Sequence, residues 1–371
     1  MNNLTKLIIK TPNIKSQYDY IIVGQGLAGT ILHFQLLQRG KTCLVIDNNH
    51  RNNSSLVAAG MYNPIVFKRV TKGWNVDKYS PYLSPFYSKM ENHLNAKLDF
   101  PINILRFFKT LEQQNDFFSK TEEEGFSQYL ISESKAETKN LPVKNEIGFG
   151  EITKTGWVNT VSLLTDYREF LDRNRLLQNE KFEFEHLVFS PEKINYKGII
   201  ANKIIFCEGT LMLENPYFNY LPLVPTKGEL FTIKVPGLEV DKILNKGFFC
   251  LPLGNELFRV GATYNWKDLT YETTENGKSE LLEKIDSLLN CDYEIIDHQA
   301  GIRPTVRDRR PLIGIHPDFP SLGLFNGLGT KGVLIAPWLS HHFCDFLDGS
   351  APLDKEYDLQ RVKKRKQKKA P

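Results

Sequence analysis

Residues 18–29 read Tyr18-Asp19-Tyr20-Ile21-Ile22-Val23-Gly24-Gln25-Gly26-Leu27-Ala28-Gly29, an apolar run that ends in Gly-x-Gly-x-x-Gly. The β-branched run predicts a buried parallel strand. In this pattern Gly24 permits a tight turn out of the strand, Gly26 lets a pyrophosphate approach the backbone, and Gly29 lets the next helix pack closely on the strand.

A helix is predicted directly after this strand, from Leu27 to Gln38, with Gly40 just past its end. The free N–H groups of its first turn, at Leu27 and Ala28, would point at a phosphate. A second strand, 42–46, ends at Asp47, where an acid is placed to accept hydrogen bonds from a ribose. The alternative is an ordinary strand–turn–helix whose glycines serve packing alone.

Size and composition indicate a globular enzyme. The chain has 371 residues, 41% hydrophobic residues and a net charge of +4, which allows two domains and gives no reason by itself to expect nucleic acid. Its five cysteines are scattered, which predicts buried free thiols in a reducing compartment, and hence the cytoplasm. Residues 1–17 lack a signal-peptide core, and no run reaches transmembrane length.

Small residues cluster at 54–61, soon after Asp47. Small side chains let a flat ring or a backbone lie close, which makes this segment a candidate cofactor contact. A helix N-terminus with a serine cap is equally consistent with the letters. The residues in question are Ser55, Ala58, Ala59, Gly60 and Met61.

Two later segments repeat the pattern of a strand that ends in glycine. A predicted strand, 203–207, stops at Glu208-Gly209, which indicates another close approach of backbone to a ligand, with a plain turn as the alternative. Near the end of the chain a strand at 322–326 leads into Gly327-Leu328-Gly329-Thr330-Lys331-Gly332 and a long apolar helix, 333–347. This loop delivers a second helix N-terminus to a site.

From about residue 63 to 150 the chain loses its alternation of strands and helices. A strand is predicted at 182–189, and a strand pattern follows Glu229 within 221–235. Further short strands are predicted at 248–253, 257–263 and 293–298, with a helix at 278–289. Short strands with long connections indicate an antiparallel or mixed sheet. We therefore expect a second, α+β domain built from at least two separated segments.

The two glycine loops together predict a flavin rather than NAD. The first loop takes a pyrophosphate, and the second places a positive helix end where a reduced isoalloxazine carries negative charge. NAD needs no such second helix end.

In this order, the motifs resemble those of the FAD-dependent D-amino-acid oxidase family, which includes glycine and sarcosine oxidases. The matching residues span most of the chain: Gly24, Gly26, Gly29 and Asp47; 55–61; 205–209; Lys227-Gly228-Glu229; Gly301-Ile302-Arg303-Pro304 with Asp308, Pro311, Ile313 and Gly314; and Gly327 through Gly332.

The resemblance implies an α/β fold in which a discontinuous, Rossmann-like FAD-binding domain with a parallel sheet is joined to an α+β substrate domain with an antiparallel sheet. The implied boundaries are an extension at 1–17, FAD-binding segments at 18–90, 153–220 and 300–350, substrate segments at 91–152 and 221–299, and a basic tail at 351–371. The expected FAD contacts are Gly24, Gly26, Leu27, Ala28, Gly29, Asp47, Ser55, Ala58, Ala59, Gly60, Met61, Val188, Glu208, Gly209, Gly327, Gly329, Thr330, Lys331 and Gly332.

The resemblance also implies a reaction. The arginine of the Gly-x-Arg-Pro motif, Arg303, would fork onto the carboxylate of an amino acid or amine substrate, although a structural salt bridge is the alternative. A hydride would pass from the carbon beside the amine to flavin N5, and oxygen or another acceptor would take the electrons.

Two positions depart from the family pattern. Phe249 stands where related enzymes often carry a tyrosine that helps to hold the carboxylate, and Arg259 stands where sarcosine-oxidase-like members place an oxygen-activating lysine. We count both with Arg303 as catalytic candidates. Because no cysteine lies near 301–311, the resemblance predicts non-covalent FAD.

Two rival hypotheses remain open on the sequence. One is a tRNA-modifying flavin oxidoreductase acting on a carboxymethylaminomethyl-uridine-like amine, favoured by the basic run at 361–369, although a solvated tail is the usual explanation of such a run. The other is a non-catalytic flavin-binding scaffold.

Overall fold

The computed structural model describes residues 17–49, 53–131 and 141–362, so that the predicted extension, apart from residue 17, and the basic run at 363–371 lie outside the described residues. The helices are α1 Leu27–Gln38, α2 Ser54–Val57, α3 Val76–Leu94, α4 Leu111–Thr121, α5 Thr160–Arg173, α6 Glu275–Leu288 and α7 Gly332–Leu347. Short 3-10 helices span Phe184–His186, Gly209–Glu214 and Leu359–Arg361.

The strands, in chain order, are β1 Gln17–Val23, β2 Cys43–Ile46, β3 Met61–Tyr62, β4 Ile65–Val66, β5 Thr71–Lys72, β6 Asp99–Pro101, β7 Ile104–Phe107, β8 Leu130–Ile131, β9 Phe149–Ile152, β10 Gly156–Val158, β11 Leu177–Gln178, β12 Leu187–Phe189, β13 Ile194–Tyr196, β14 Ile199–Phe206, β15 Thr226–Lys234, β16 Ile243–Asn245, β17 Phe249–Gly254, β18 Leu257–Gly261, β19 Glu294–Arg303, β20 Leu312–Ile315 and β21 Leu322–Asn326. Within the described residues, no helix is long and apolar enough to cross a membrane.

A largely parallel sheet carries the first glycine loop. Its order is β11-β2-β1-β14-β13-β12, and β21 also pairs with β14. Strands β11, β2, β1, β14 and β21 run parallel. Alternate residues of β1 enter two cores: Ile22 packs in the core that contains α1 and α7, and Ile21 packs in the core on the other side. Both faces are therefore covered, which explains the uninterrupted apolar run.

A second sheet has the order β19-β15-β18-β17-β16-β7-β9-β8. It is antiparallel except where β16 runs parallel to β7. One face packs on α6 through residues such as Leu281 and Ile285. A mixed α/β fold with a parallel and an antiparallel sheet confirms the predicted fold class, and the division into named domain segments stays a prediction.

The predicted strand at 182–189 was wrong over its first half. Phe182 stacks on Tyr196 with ring centroids 4.5 Å apart, and Phe184 packs on Phe206. The Glu183 N–H donates to the hydroxyl of Tyr196 rather than to a neighbouring strand, and the His186 N–H donates to the carbonyl of Glu183 in a 3-10 turn. Only β12 therefore pairs with β13. The cysteines are free as predicted, and Cys291 alone among them is not fully buried.

Alanine at Gly29 tests the packing of α1 on β1. A Cβ at Gly29 would lie 1.9 Å from the carbonyl oxygen of Gly24, whereas a Cβ at Gly26 would meet no atom closer than 3.5 Å. We expect Gly29→Ala to destabilise the cofactor-free protein by about 3 kcal/mol or more, because backbone must move. The matched control Gly26→Ala should cost less than about 1 kcal/mol. Urea unfolding measures both, and equal losses would contradict this packing.

Candidate cofactor and substrate site

A cavity of about 890 Å³ is bordered by residues of both sheets. This volume is in the range of ligand sites. Most of the predicted site residues border it: Gly24, Gly26, Leu27, Ala28, Asp47, Ser55, Ala58, Ala59, Gly60, Met61, Glu208, Gly209, Phe249, Arg303, Gly329, Thr330, Lys331 and Gly332. Segments more than 300 residues apart in the chain are thus brought to one site.

Four predicted site residues do not border the cavity. Val188 is 68% exposed, because β12 is the outermost strand of its sheet and this residue alternates to the solvent side, so its prediction as a cofactor contact is not supported. Gly29 packs against Gly24, and Gly327 packs against Val306. Arg259 lies behind the loop that follows α2, where Nη1 donates to the carbonyl of Ala58 at 3.2 Å.

The N-terminus of α1 opens onto the cavity. Gly26 is its N-cap, and the first turn contains no acidic side chain. The Leu27 N–H donates to Oγ of Ser55 at 3.1 Å. Asn53, rather than a serine, caps α2 by accepting from the Ser55 N–H at 2.9 Å. A helix start with small residues around it and no acid in its first turn suits a phosphate group.

Asp47 is held firmly at the end of β2. Its Oδ2 accepts from the Gln25 N–H at 2.9 Å, and its Oδ1 accepts from the Asn49 N–H and from Nη1 of Arg168, both at 2.8 Å. An ionised carboxylate has about four acceptor positions, so one remains for a ribose hydroxyl. Arg168 reaches this site from α5, and no local sequence signal pointed to it.

The N-terminus of α7 lies beside that of α1. A Cβ on Gly332, the first residue of α7, would lie 2.8 Å from Cδ2 of Leu27, the first residue of α1. The first turn of α7 also contains no acid. Lys331 precedes this helix and borders the cavity, and its burial lowers the pKa of its ammonium group. Two positive helix ends and a lysine therefore converge on one space.

Glu208 borders the cavity at the end of β14. Its carboxylate accepts a hydrogen bond from Nδ2 of Asn215 at 2.7 Å. Burial raises its pKa to about 7, so the group is partly protonated near neutral pH. A carboxyl group whose charge changes near neutral pH therefore lies beside the first glycine loop.

Arg303 has no acidic partner in the part of the chain that the structure describes. At the end of β19, its guanidinium lies over Gly228 of β15, where a Cβ would be 2.1 Å from Nη2. Nη1 makes a weak contact of 3.4 Å with the carbonyl of Lys227, and the ring of Tyr264 lies 4.6 Å from Cζ. Burial lowers the pKa of the guanidinium. A buried cation of this kind suits an anionic ligand.

Phe249 lies near Arg303 on the antiparallel sheet. It pairs with Gly261, and a Cβ there would be 3.1 Å from Cζ of Phe249. The structure adds Tyr264 as a residue that the sequence did not single out: it borders the cavity, is 55% exposed and supplies a hydroxyl-bearing ring next to Arg303. It lies outside every motif, so the sequence carried no signal for it.

The Lys227-Gly228-Glu229 motif anchors the loop that bears Tyr264. Lys227 is fully buried, and its Nζ lies 2.5 Å from Oδ2 of Asp268. Glu229 accepts from the N–H of Thr274 at 3.0 Å. Gly228 between them leaves room for Arg303. The motif thus fixes both a loop and the seat of the guanidinium.

Comparison with known proteins gives the family. A model of the family described as FAD dependent oxidoreductase matches residues 19–346. The chain is 27% identical over 160 residues to glycine oxidase from Pseudomonas aeruginosa, covering 42% of this chain and 44% of that protein. It is 22% identical over 339 residues to the tRNA 5-methylaminomethyl-2-thiouridine biosynthesis bifunctional protein MnmC from Legionella pneumophila, covering 85% of this chain and 48% of that protein. The chain thus spans about half the length of these curated relatives.

The fold has solved counterparts. The structure of glycine oxidase from Geobacillus kaustophilus superposes with a TM-score of 0.78 at 19% identity, covering 94% of this chain and all of that one. Together with the family match over most of the chain, this confirms the resemblance inferred from the motifs. The protein belongs to the FAD dependent oxidoreductase family of the D-amino-acid oxidase type.

Proposed function

We propose that this protein oxidises the C–N bond of an amino acid, or of a secondary amine bearing a carboxylate, with oxygen or another acceptor taking the electrons. The observation that carries the proposal is Arg303, a cation in the cavity wall with no acidic partner among the described residues. The glycine oxidase named among the relatives acts on an amino acid of this type.

The residues that border the cavity suit FAD. Gly24 and Gly26 would receive the pyrophosphate at the start of α1, and Asp47 would accept from a ribose hydroxyl. Small side chains at 58–60 would lie against the ring system, and Lys331 with α7 would face its electron-rich edge. When bound, the flavin takes up the hydride that leaves the carbon beside the amine.

The chain's own part in the reaction is to bind and orient the substrate. Arg303 offers two parallel N–H groups to a carboxylate, and Tyr264 keeps the guanidinium plane in place. Among described residues that border the cavity, the carboxylates are Asp47, Glu180, Glu208 and Glu214, all on the side of the parallel sheet. No carboxylate base therefore stands beside Arg303, which fits a neutral amine that supplies its own electron pair.

We further propose that FAD is held without a covalent bond. Cys207 is the described cysteine that borders the cavity, and burial raises its pKa well above the usual range. It therefore stays a thiol, which is a poor nucleophile. Free cysteines throughout the chain also fit a reducing compartment such as the cytoplasm.

A tRNA-modifying reaction is the second candidate. It is favoured by the Legionella relative, whose name refers to the synthesis of a modified uridine in tRNA. An amine that carries a carboxymethyl group would use Arg303 in the same way. Purified protein that retains tRNA at low salt, and loses it when residues 361–371 are deleted, would favour this candidate over a free amino acid.

Substitution of Arg303 tests the proposed substrate contact. We expect Arg303→Ala to retain FAD and to weaken binding of carboxylate-bearing amines at least about 30-fold, or about 2 kcal/mol, because the bidentate partner is lost. The affinity of Arg303→Lys should lie between those of the wild type and Arg303→Ala, because lysine keeps the positive charge but cannot donate two parallel hydrogen bonds. Affinity is read from the change in flavin absorbance under anaerobic conditions.

Arg307→Ala is the matched control, because Arg307 is exposed four residues along the chain and does not border the cavity. It should leave amine affinity unchanged. Unaltered affinity in Arg303→Ala would remove Arg303 from the substrate site.

Acid precipitation tests the mode of FAD binding. Trichloroacetic acid should leave all the flavin in the supernatant and a colourless pellet, because no cysteine thiolate is available in the cavity. The supernatant is assayed by absorbance and chromatography. Flavin that stays with the pellet would contradict the proposal.

A further inference from the structure

Arg106 is a second cation that the proposed reaction does not use. It lies in β7, is only 6% exposed, and its Nη1 has no hydrogen-bond partner. A buried donor of a charged group that is left without a partner costs about 1–3 kcal/mol or more. An anion that reached Nη1 would remove this cost.

Arg106 does not itself border the cavity, but the strand register places it on the same face of the antiparallel sheet as residues that do. Arg106 is directly opposite Asn245 of β16, which is in turn opposite Phe249 of β17. Residues that face each other in this way share one face of a sheet. Both Asn245 and Phe249 border the cavity, and so does Phe67, whose ring centroid lies 5.6 Å from Cζ of Arg106.

Two lysines lie near this part of the cavity wall, although neither borders the cavity. A Cβ on Gly247, which does border it, would lie 3.0 Å from Nζ of Lys109. The Nζ of Lys246 donates to the carbonyls of Lys144 and Ser287 at 2.8 and 2.9 Å, and burial lowers the pKa of its ammonium group. The acids that act on these groups are Glu146, near Lys246, and Asp116 of α4, near Arg106. Neither forms an ion pair with them among the described residues.

Burial lowers the pKa of the Arg106 guanidinium, and the attraction of Asp116 offsets part of this effect. On the far side, Phe117 of α4 covers Gly150, the other strand neighbour of Arg106. The side of α4 is therefore closed by an aromatic ring, and the side of Asn245 and Phe67 leads to the cavity.

We propose that Arg106 and Asn245 form a second anion-binding site, so that the substrate is an amine with a carboxylate at Arg303 and another anionic group at the end of its second N-substituent. This inference rests on the proposed function for the role of Arg303. The guanidinium of Arg303 lies over β15, and β7 is four strands away, or about 19 Å. Because this distance is measured from the Arg303 guanidinium, only the Arg106 side chain can shorten it, and the two anions of a bridging ligand would lie less than about 19 Å apart.

Ligands of graded length test the second site. The holoenzyme is titrated anaerobically with N-carboxymethyl derivatives of ω-amino acids that carry two to ten methylene groups, and with N-alkylglycines of matched length. A parallel series of α,ω-dicarboxylates lacks the amine and cannot be oxidised. Dissociation constants come from the flavin absorbance change.

For the wild-type protein, we expect the second anion to improve affinity by about tenfold or more, with a maximum at an intermediate chain length. In Arg106→Gln this advantage should fall to less than about threefold, while the N-alkylglycines bind as before. Arg106→Lys should keep part of it. Because Arg106→Gln removes an unpaired buried charge, its unfolding temperature without ligand should equal or exceed that of the wild type.

The outcomes separate the two proposals. The second site is overturned if the second anion improves affinity equally in the wild type and in Arg106→Gln. It is also overturned if the second anion improves affinity at no chain length in either series. If no amine reduces the flavin but the dicarboxylates show an Arg106-dependent advantage, the second site stands and the proposed oxidation fails. A lower unfolding temperature for Arg106→Gln, together with unchanged affinities, would make Arg106 a packing residue only.

Discussion

The architecture depends on two helix N-termini that meet at one cavity. The first residues of α1 and α7 are in contact, and neither first turn carries an acidic side chain. Lys331 adds a further positive charge at the same place. Each helix start carries roughly half a positive charge. A molecule with a pyrophosphate and an electron-rich ring would suit this arrangement, because its negative charge would lie at both helix starts.

The antiparallel sheet supplies the opposite wall, and cations again define it. Arg303 can lie flat over β15 because residue 228 is glycine, and the residues on either side of that glycine, Lys227 and Glu229, tie down the loop that carries Tyr264. Lys227 and Glu229 do not border the cavity, whereas Arg303 does. The antiparallel sheet thus carries a buried ion pair between Lys227 and Asp268 and also two arginines, Arg303 and Arg106, that form no ion pair among the described residues. The ion pair supports the structure, and the arginines are available to bind a ligand.

Local patterns in the sequence predicted what local physics determines. The strand, glycine turn and helix at 18–38 and the loop and helix at 327–347 follow from apolar periodicity and glycine placement, and the structure contains both. Val188 failed because the side to which an edge-strand residue points depends on pairing that a single strand does not reveal. The predicted strand at 182–189 likewise gave way to a 3-10 helix over part of its length, because the Glu183 N–H bonds the Tyr196 side chain instead of a neighbouring strand.

Features that depend on the pairing of distant segments were beyond the sequence. Arg168 meets Asp47 across 121 positions. Tyr264, in the loop after β18, meets Arg303 at the end of β19 because both strands pair with β15. Arg106 looks like any strand arginine until the register sets it beside Asn245. Contacts of this kind are determined by tertiary packing, and they cannot be predicted from residue spacing along the chain.

Flavin titration of cofactor-free protein tests the central claim most directly. If α1 receives a pyrophosphate and Asp47 binds a ribose, FAD should bind at least about 100-fold more tightly than FMN, which lacks the pyrophosphate and the adenosine. Riboflavin should bind more weakly than FMN. Equal affinity for FAD and FMN, or no binding of FAD, would contradict the account of two helix N-termini arranged around one dinucleotide.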